Sequence, residues 1–255
     1  MSNHTILGID VGATGIKGGL VDVSSGEMLT ERHRLETPEG GHPEDMAQTV
    51  KKLVDYFEYK GAIGIGFPAI VRRGVAASAS NIDDRWIGTN IEKTFQKACG
   101  NKFFALNDAD AAGIATMKFG VGRPLANDGT VLMITIGTGL GGALFVNGEL
   151  MPNLEIGQIY LKGQKVVAEK YISNRVRKDN DMSWKEFGQR FKKVVRHVDL
   201  VFNPDLIVLG GGASKSFVEY KDYLTKIHAE VKPATLQNTA GTIGAALYAA
   251  KKANK

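Results

Sequence analysis

The chain has 255 residues, is 43% hydrophobic and carries a formal net charge of +5, which is enough to bury a substantial core as one large α/β unit or as two lobes. Its single cysteine, Cys99, excludes an internal disulfide and a cysteine-based zinc site. The first residues carry no basic start followed by an apolar core, and no apolar run approaches the roughly 20 residues that cross a bilayer, so a cytoplasmic protein without membrane contact is expected. Glycine, at 31 residues, stands well above its usual share of about 7%. Many of these glycines cluster directly after apolar runs, as phosphate-binding loops require.

In chain order, the first signal is GIDVGATGIKGG, Gly8 to Gly19. The run up to Val11 is apolar and β-prone apart from Asp10, and Ile16 to Val23 reads as the returning strand. Between them Gly12, Ala13, Thr14 and Gly15 combine small side chains with exposed N–H groups, a phosphate cradle to which Lys17 is joined. Asp10 beside it repels phosphate unless a cation intervenes, which points to Mg²⁺. An ordinary glycine-rich hairpin fits the same residues. Pro43 to Glu58 carries apolar residues at helical spacing, and Ala62 to Phe67 reads as a strand. The loop SASNIDDRWIGTN, Ser78 to Asn90, offers Asn81 as a hydrogen-bonding group for a polyol or as a turn former.

The strand Phe103 to Leu106 runs into Asn107 and Asp108, just ahead of a helical run. Asp108 fits two roles. It is either a plain helix cap, or a carboxylate at the carboxyl end of a strand, where open α/β sheets put ligands, able to take a proton from a substrate hydroxyl that the Asn107 amide holds. A lobe boundary is expected at Lys118 to Gly122, with 1–118 in the first lobe and 119–255 in the second. The strand Thr130 to Ile136 opens onto Gly137-Thr138-Gly139-Leu140-Gly141-Gly142. That run satisfies the dinucleotide pattern G-x-G-x-x-G formally, but a strand, Ala143 to Val146, follows where the pattern needs a helix. Thr138 with the N–H groups of Gly137 and Gly139 reads better as a second phosphate clamp. Two such hairpins facing a shared cleft would grip phosphates from both sides.

PNLEIGQIY supplies Glu155 and Gln158 as acceptors and donors for sugar hydroxyls. From Lys162 to Arg196 there are eleven Lys or Arg against four Asp or Glu, which reads either as a track for a polyanion or as a solvated basic helix face. Ser183 to Phe202 has helical spacing with a core-facing aromatic stripe. Leu206 to Leu209 is a buried strand ending in Gly210, Gly211 and Gly212, which suits a helix-start turn or the close approach of a nucleotide. The closing helix, Ala240 to Lys252, is small-residue-rich and suits tight packing on a sheet, with a return to the first lobe in view. Strands mixed with helices throughout argue for an α/β architecture.

Taken together, these segments resemble the repressor, open reading frame, kinase (ROK) family of sugar kinases over almost the whole chain. GIDVGATGIKGG and IGTGLGGALFVNG resemble its two phosphate segments, and SASNIDDRWIGTN and LNDADAAG its sugar segments. SWKEFGQRF, NPDLIVLGGGASK and VKPATLQNTAGTIGAA resemble the subgroup that uses polyphosphate as donor. The resemblance implies the two-lobed, actin-like ATPase (ribonuclease H-like) fold. It implies phosphoryl transfer from polyphosphate or ATP to the 6-hydroxyl of glucose, with an ATP-dependent kinase for another hexose or amino sugar as the alternative. By this resemblance Asp108 is the catalytic base, Asn81, Asn107 and Glu155 hold the sugar, Asp10 organises Mg²⁺ and phosphate, and Gly210 to Gly212 lie near the nucleotide. A homodimer without nucleic-acid or membrane partners goes with it. Two departures stand out. The cysteine-rich zinc motif of many relatives is missing, as in the polyphosphate subgroup. Gln158 also stands where the subgroup's E-x-G-H has histidine, which leaves a weakened sugar-binding protein as a further alternative. The start of the chain at the phosphate strand leaves no room for the DNA-binding domain of the family's repressors.

Overall fold

Strand β1 (Thr5–Gly12) alternates large apolar residues with glycine or aspartate, and the structure, a computed structural model describing residues 4–79 and 82–253, shows what each face meets. Side chains alternate across a strand. Leu7, Ile9 and Val11 are fully buried on one face with Met46, Val50 and Leu53 of helix α1 (Pro43–Tyr56). Helix α1 ends two residues before the sequence pattern does, because Glu58 takes a φ of +48°. Strand β2 (Gly15–Asp22) returns antiparallel to β1, pairing Asp10 with Lys17 and Gly12 with Gly15. Two short strands, β3 (Glu27–Met28) and β4 (His33–Leu35), both pair with β2.

Strand β5 (Ile63–Phe67) lies parallel to β1, pairing Gly64 with Gly8 and Gly66 with Asp10. A separate hairpin of β6 (Val71–Arg72) and β7 (Val75–Ala76) precedes helix α2 (Ile91–Cys99). Strand β8 (Phe103–Asn107) then adds in parallel to β5, giving the order β3-β2-β1-β5-β8, and helix α3 (Asp108–Phe119) follows at once. Trp86, an aromatic in an otherwise polar loop, is core. It is fully buried, packs edge-on to Phe67 at 4.7 Å between centroids and donates its indole N–H to the Gly41 carbonyl at 2.9 Å.

The second sheet is built from β9 (Thr130–Ile136), β10 (Leu140–Val146) and β11 (Glu149–Leu154). After helices α4 (Ala168–Tyr171), α5 (Asn174–Asp179) and α6 (Trp184–Phe202) it gains β12 (Leu206–Gly210) and, after α7 (Phe217–Tyr220), β13 (Glu230–Pro233). Its order is β11-β10-β9-β12-β13, with an antiparallel hairpin on one side and parallel strands on the other. The first sheet repeats this plan in β3-β2-β1-β5-β8, with β4 as an added sixth strand. Strand β10 starts at Leu140, so Gly141 and Gly142 belong to the ladder and the turn shrinks to Gly137–Gly139.

Helix α6 starts where Ser183 accepts the Glu186 N–H at 3.2 Å and stops where Asn203 adopts a left-handed φ of +44°. Its buried stripe of Phe187, Phe191, Val194, Val195 and Val198 is worth up to about 1.5–3 kcal/mol per side chain.

The chain divides into two compact units, Met1–Ala115 with Thr239–Lys255, and Thr116–Asn238. The last helix, α8 (Ala240–Ala253), therefore belongs with the first sheet. It packs on β1, β5 and β8 across the face opposite α1, and two glycines make the approach possible. A methyl group on Gly8 would strike the carbonyl of Thr242, and one on Gly64 the carbonyl of Ala245.

Candidate active site

In the first unit the candidate residues gather at the carboxyl ends of the parallel strands β1, β5 and β8. The hairpin turn after β1 is two residues, Ala13 and Thr14. Its flanking carbonyls are tied back to the protein: Arg34 Nη2 donates to Thr14 O and Thr37 Oγ1 to Gly12 O, each at 2.6 Å. Asp10 is half-buried at the end of β1, and the first turn of α8 lies over it. A methyl on Gly241 would sit 2.9 Å from its carboxyl carbon. Burial raises the Asp10 carboxyl above its ordinary value, and Lys17 and Arg32 offset this only in part.

Asn107 holds the start of α3. Its buried side chain accepts the N–H groups of Ala109 at 2.9 Å and Asp110 at 3.1 Å, while its amide donates to the Ala69 carbonyl at 3.1 Å. Asn107 is thus the cap of α3, and Asp108 is the first helical residue. The Asp108 Oδ1 accepts the N–H of Ala109 at 2.8 Å, at the positive end of the helix, where a negative charge is favoured. Gly66 of β5 lies between the two acidic positions: it pairs with Asp10, and its vacant Cβ position is 3.6 Å from the Asp108 Cα. Such a carboxylate can accept a proton at a strand end while its backbone stays fixed. Asn81 lies outside the described residues.

In the second unit the turn Gly137–Gly139 is closed by an N–H of Gly137 donating to the Gly139 carbonyl at 3.0 Å. The Gly137 carbonyl in turn accepts from Asn174 and Arg175 at the start of α5. Gly211, at φ +75°, lies against the last residue of β9, where a Cβ would come within 2.6 Å of the Ile136 nitrogen. Gly210 ends β12, and Gly212 opens a short 3-10 turn. Thr138 sits in the turn itself.

Glu155 heads a 3-10 turn, Ile156–Gln158, and its carboxyl is raised by burial and then by the charge of Glu169. Gln158 Nε2 donates to Glu169 Oε1 at 3.1 Å, and the other Glu169 oxygen occupies the space that a methyl on Gly139 would need. Glu169 therefore joins the glycine turn to the Glu155–Gln158 segment. Sequence reasoning missed it. Its one local signal was being the lone acid between Lys162 and Lys178. Arg34 was missed too, on a three-residue strand with no motif of its own.

The basic segment Lys162–Arg196 is partly spoken for. Arg177 covers the Trp184 ring at 4.1 Å, Arg190 pairs with Glu186 at 2.7 Å and covers Tyr171, Lys193 covers the same ring, and Lys192 donates to Thr225. Among the described residues no three His, Cys, Asp or Glu side chains come together to hold a metal ion, and no helix is long and apolar enough to cross a membrane.

Polyphosphate glucokinase of Mycobacterium tuberculosis H37Rv is 38% identical over 94% of this chain and 89% of its own length. The Mycobacterium leprae protein of the same name is 35% identical over 96% and 75%. The crystal structure of inorganic polyphosphate/ATP-glucomannokinase from Arthrobacter sp. strain KM superposes with a TM-score of 0.92 at 38% identity, covering 97% of this chain and 99% of that one. A ROK family glucokinase from Streptomyces griseus, solved with glucose and AMPPNP, shares the fold at a TM-score of 0.82 and 24% identity, covering 97% and 99%. The architecture is accordingly the actin-like ATPase fold of these sugar kinases. The ROK family model matches residues 6–155, and with relatives this similar along nearly all its length, the chain belongs to the ROK family.

Proposed function

We propose that this protein transfers the terminal phosphoryl group of inorganic polyphosphate or ATP to the 6-hydroxyl of glucose, giving glucose 6-phosphate. The observation that carries the reading is Asp108, held at the head of α3 by the Asn107 cap, with only β5 between its strand and that of Asp10 and its phosphate turn. Likeness to polyphosphate glucokinase and to polyphosphate/ATP-glucomannokinase at 38% identity supports the donor and the acceptor. A cytoplasmic location and a homodimeric state go with the same reading.

In this mechanism Asp108 accepts the hydroxyl proton while the sugar oxygen bonds to phosphorus and the donor's bridging P–O bond breaks. Asn107, Glu155, Gln158 and Asn81 hold the sugar. The N–H groups of Gly12 to Gly15 and of Thr138 and Gly139, with the Thr138 hydroxyl and Lys17, stabilise charge on the phosphoryl oxygens, while the Gly137 N–H is spent closing its own turn. Gly210 to Gly212 lie near the nucleotide when ATP is the donor. Asp10 fits Mg²⁺: a single half-buried carboxylate beside a phosphate turn matches an ion that takes one or two protein carboxylates and completes its shell with water and substrate phosphates. When bound there, Mg²⁺ supplies positive charge against the donor's oxygens.

A matrix of initial rates, polyphosphate and ATP against a panel of hexoses and amino sugars, tests the proposal. The expected result is the highest kcat/KM for glucose with both donors active. Sugar binding without any sugar phosphate would instead favour the weakened-binder reading that Gln158 raises. The residue can be tested directly. Gln158→His places an ionisable ring beside Glu169, and a neighbouring carboxylate favours the cation. The variant is expected to bind glucose several-fold more tightly and to acquire an inflection in KM against pH above about 6.5. A flat profile matching the parent would remove position 158 from the sugar site.

A further inference from the structure

Three neighbouring strands of the first sheet carry charged residues in one row. Asp10 of β1 stands opposite Lys17 of β2, and Lys17 stands opposite Arg34 of β4. Directly opposed residues project to the same face, and strands lie about 4.8 Å apart, so the row runs about 10 Å from acid to base to base. Its basic end is at the sheet's edge, because β4 pairs with β2 alone. Arg32 adds a further cation that acts on Asp10. Among the described residues, neither Lys17 nor Arg34 is in an ion pair.

Arg34 is exposed and close against the phosphate hairpin. One guanidinium nitrogen donates to the Thr14 carbonyl at 2.6 Å, and a methyl on Gly15 would lie 2.6 Å from its Nε. A guanidinium has five N–H donors in a planar fork suited to phosphate, so a single carbonyl leaves most of that capacity for a ligand. Two cations in register at a sheet edge, Lys17 and Arg34, next to a phosphate turn attract a polyanion. The basic segment Lys162–Arg196, by contrast, has several of its cations engaged with rings and acids.

We infer that Arg34, with Lys17, forms a docking row for the phosphates of inorganic polyphosphate beyond the one that is transferred. The inference rests on the donor reading given above. ATP offers three phosphates and then a nucleoside, whereas a long chain continues past the hairpin to the sheet edge. The row therefore discriminates between donors by length.

The test measures KM for tripolyphosphate, long-chain polyphosphate and ATP in the parent, Arg34→Gln and Arg34→Lys, with thermal melting to check folding. Arg34→Gln is expected to raise the KM for long-chain polyphosphate at least tenfold, that for tripolyphosphate less, and that for ATP under threefold. It is also expected to flatten the salt dependence of the polyphosphate KM. Arg34→Lys, which keeps the charge, is expected to recover most of the long-chain affinity. Equal losses with all three donors would mean that Arg34 only braces the turn, and would overturn the inference while leaving the donor reading intact. A folded parent that phosphorylates glucose with ATP and not with polyphosphate would overturn both.

Discussion

Asp108→Asn is expected to lower the turnover of glucose phosphorylation by about 10³-fold or more, with glucose affinity changed by less than threefold. A positioned general base contributes about 10²–10⁴ to such a rate, and asparagine has no proton-accepting charge. The substitution is otherwise nearly silent for the fold. The side-chain oxygen of asparagine can still accept the Ala109 N–H, and the cap of α3 belongs to Asn107, so the helix start survives. Rate and binding should therefore separate cleanly. Stopped assays for glucose 6-phosphate read the first, and calorimetric titration with glucose reads the second. A variant that turns over like the parent would remove Asp108 from the chemistry.

Gly64→Ala carries the second large effect, on stability. The methyl would occupy the position of the Ala245 carbonyl, where α8 crosses β5, and neither backbone can yield without displacing the helix. Overpacking of this kind costs about 3 kcal/mol, which for a chain of this size lowers Tm by roughly 6–12 °C. Gly137→Ala is the control. Nothing lies within 4 Å of its vacant Cβ position, and its Tm should stay close to the parent's. Loosening α8 also frees Asp10 from Gly241, so Gly64→Ala is expected to lower activity below the melting transition as well. An unchanged Tm would mean that α8 does not press on the sheet as described.

Local pattern made much of this legible before the coordinates. The two glycine hairpins, the strands at Thr130 and Leu206 and the helix from Trp184 all announce themselves within a dozen residues, because period, turn chemistry and capping act at short range. What stayed hidden depends on pairing between distant segments. Arg34 gains its place only through the register of β4 on β2, and Glu169 only through its approach to Gly139 and its bond to Gln158. Trp86 sits among polar neighbours, and its place in the core is visible only from Phe67 and the Gly41 carbonyl, which enclose it. Asn107 and Asp108 are adjacent and chemically alike as caps, so only the hydrogen bonds tell them apart. The length of the second turn was overestimated because glycine in a ladder looks like glycine in a loop.

Helix α8 completes a sheet whose strands were made more than a hundred residues before it. Between Ala115 and Thr239 the ribosome must deliver the entire second unit before the glycine-lined face of β1 and β5 can be covered. At about 5–20 residues per second, that face stays open on the nascent chain for on the order of ten seconds. The second unit is a continuous stretch and waits for nothing downstream, so during synthesis it can mature ahead of the half that precedes it.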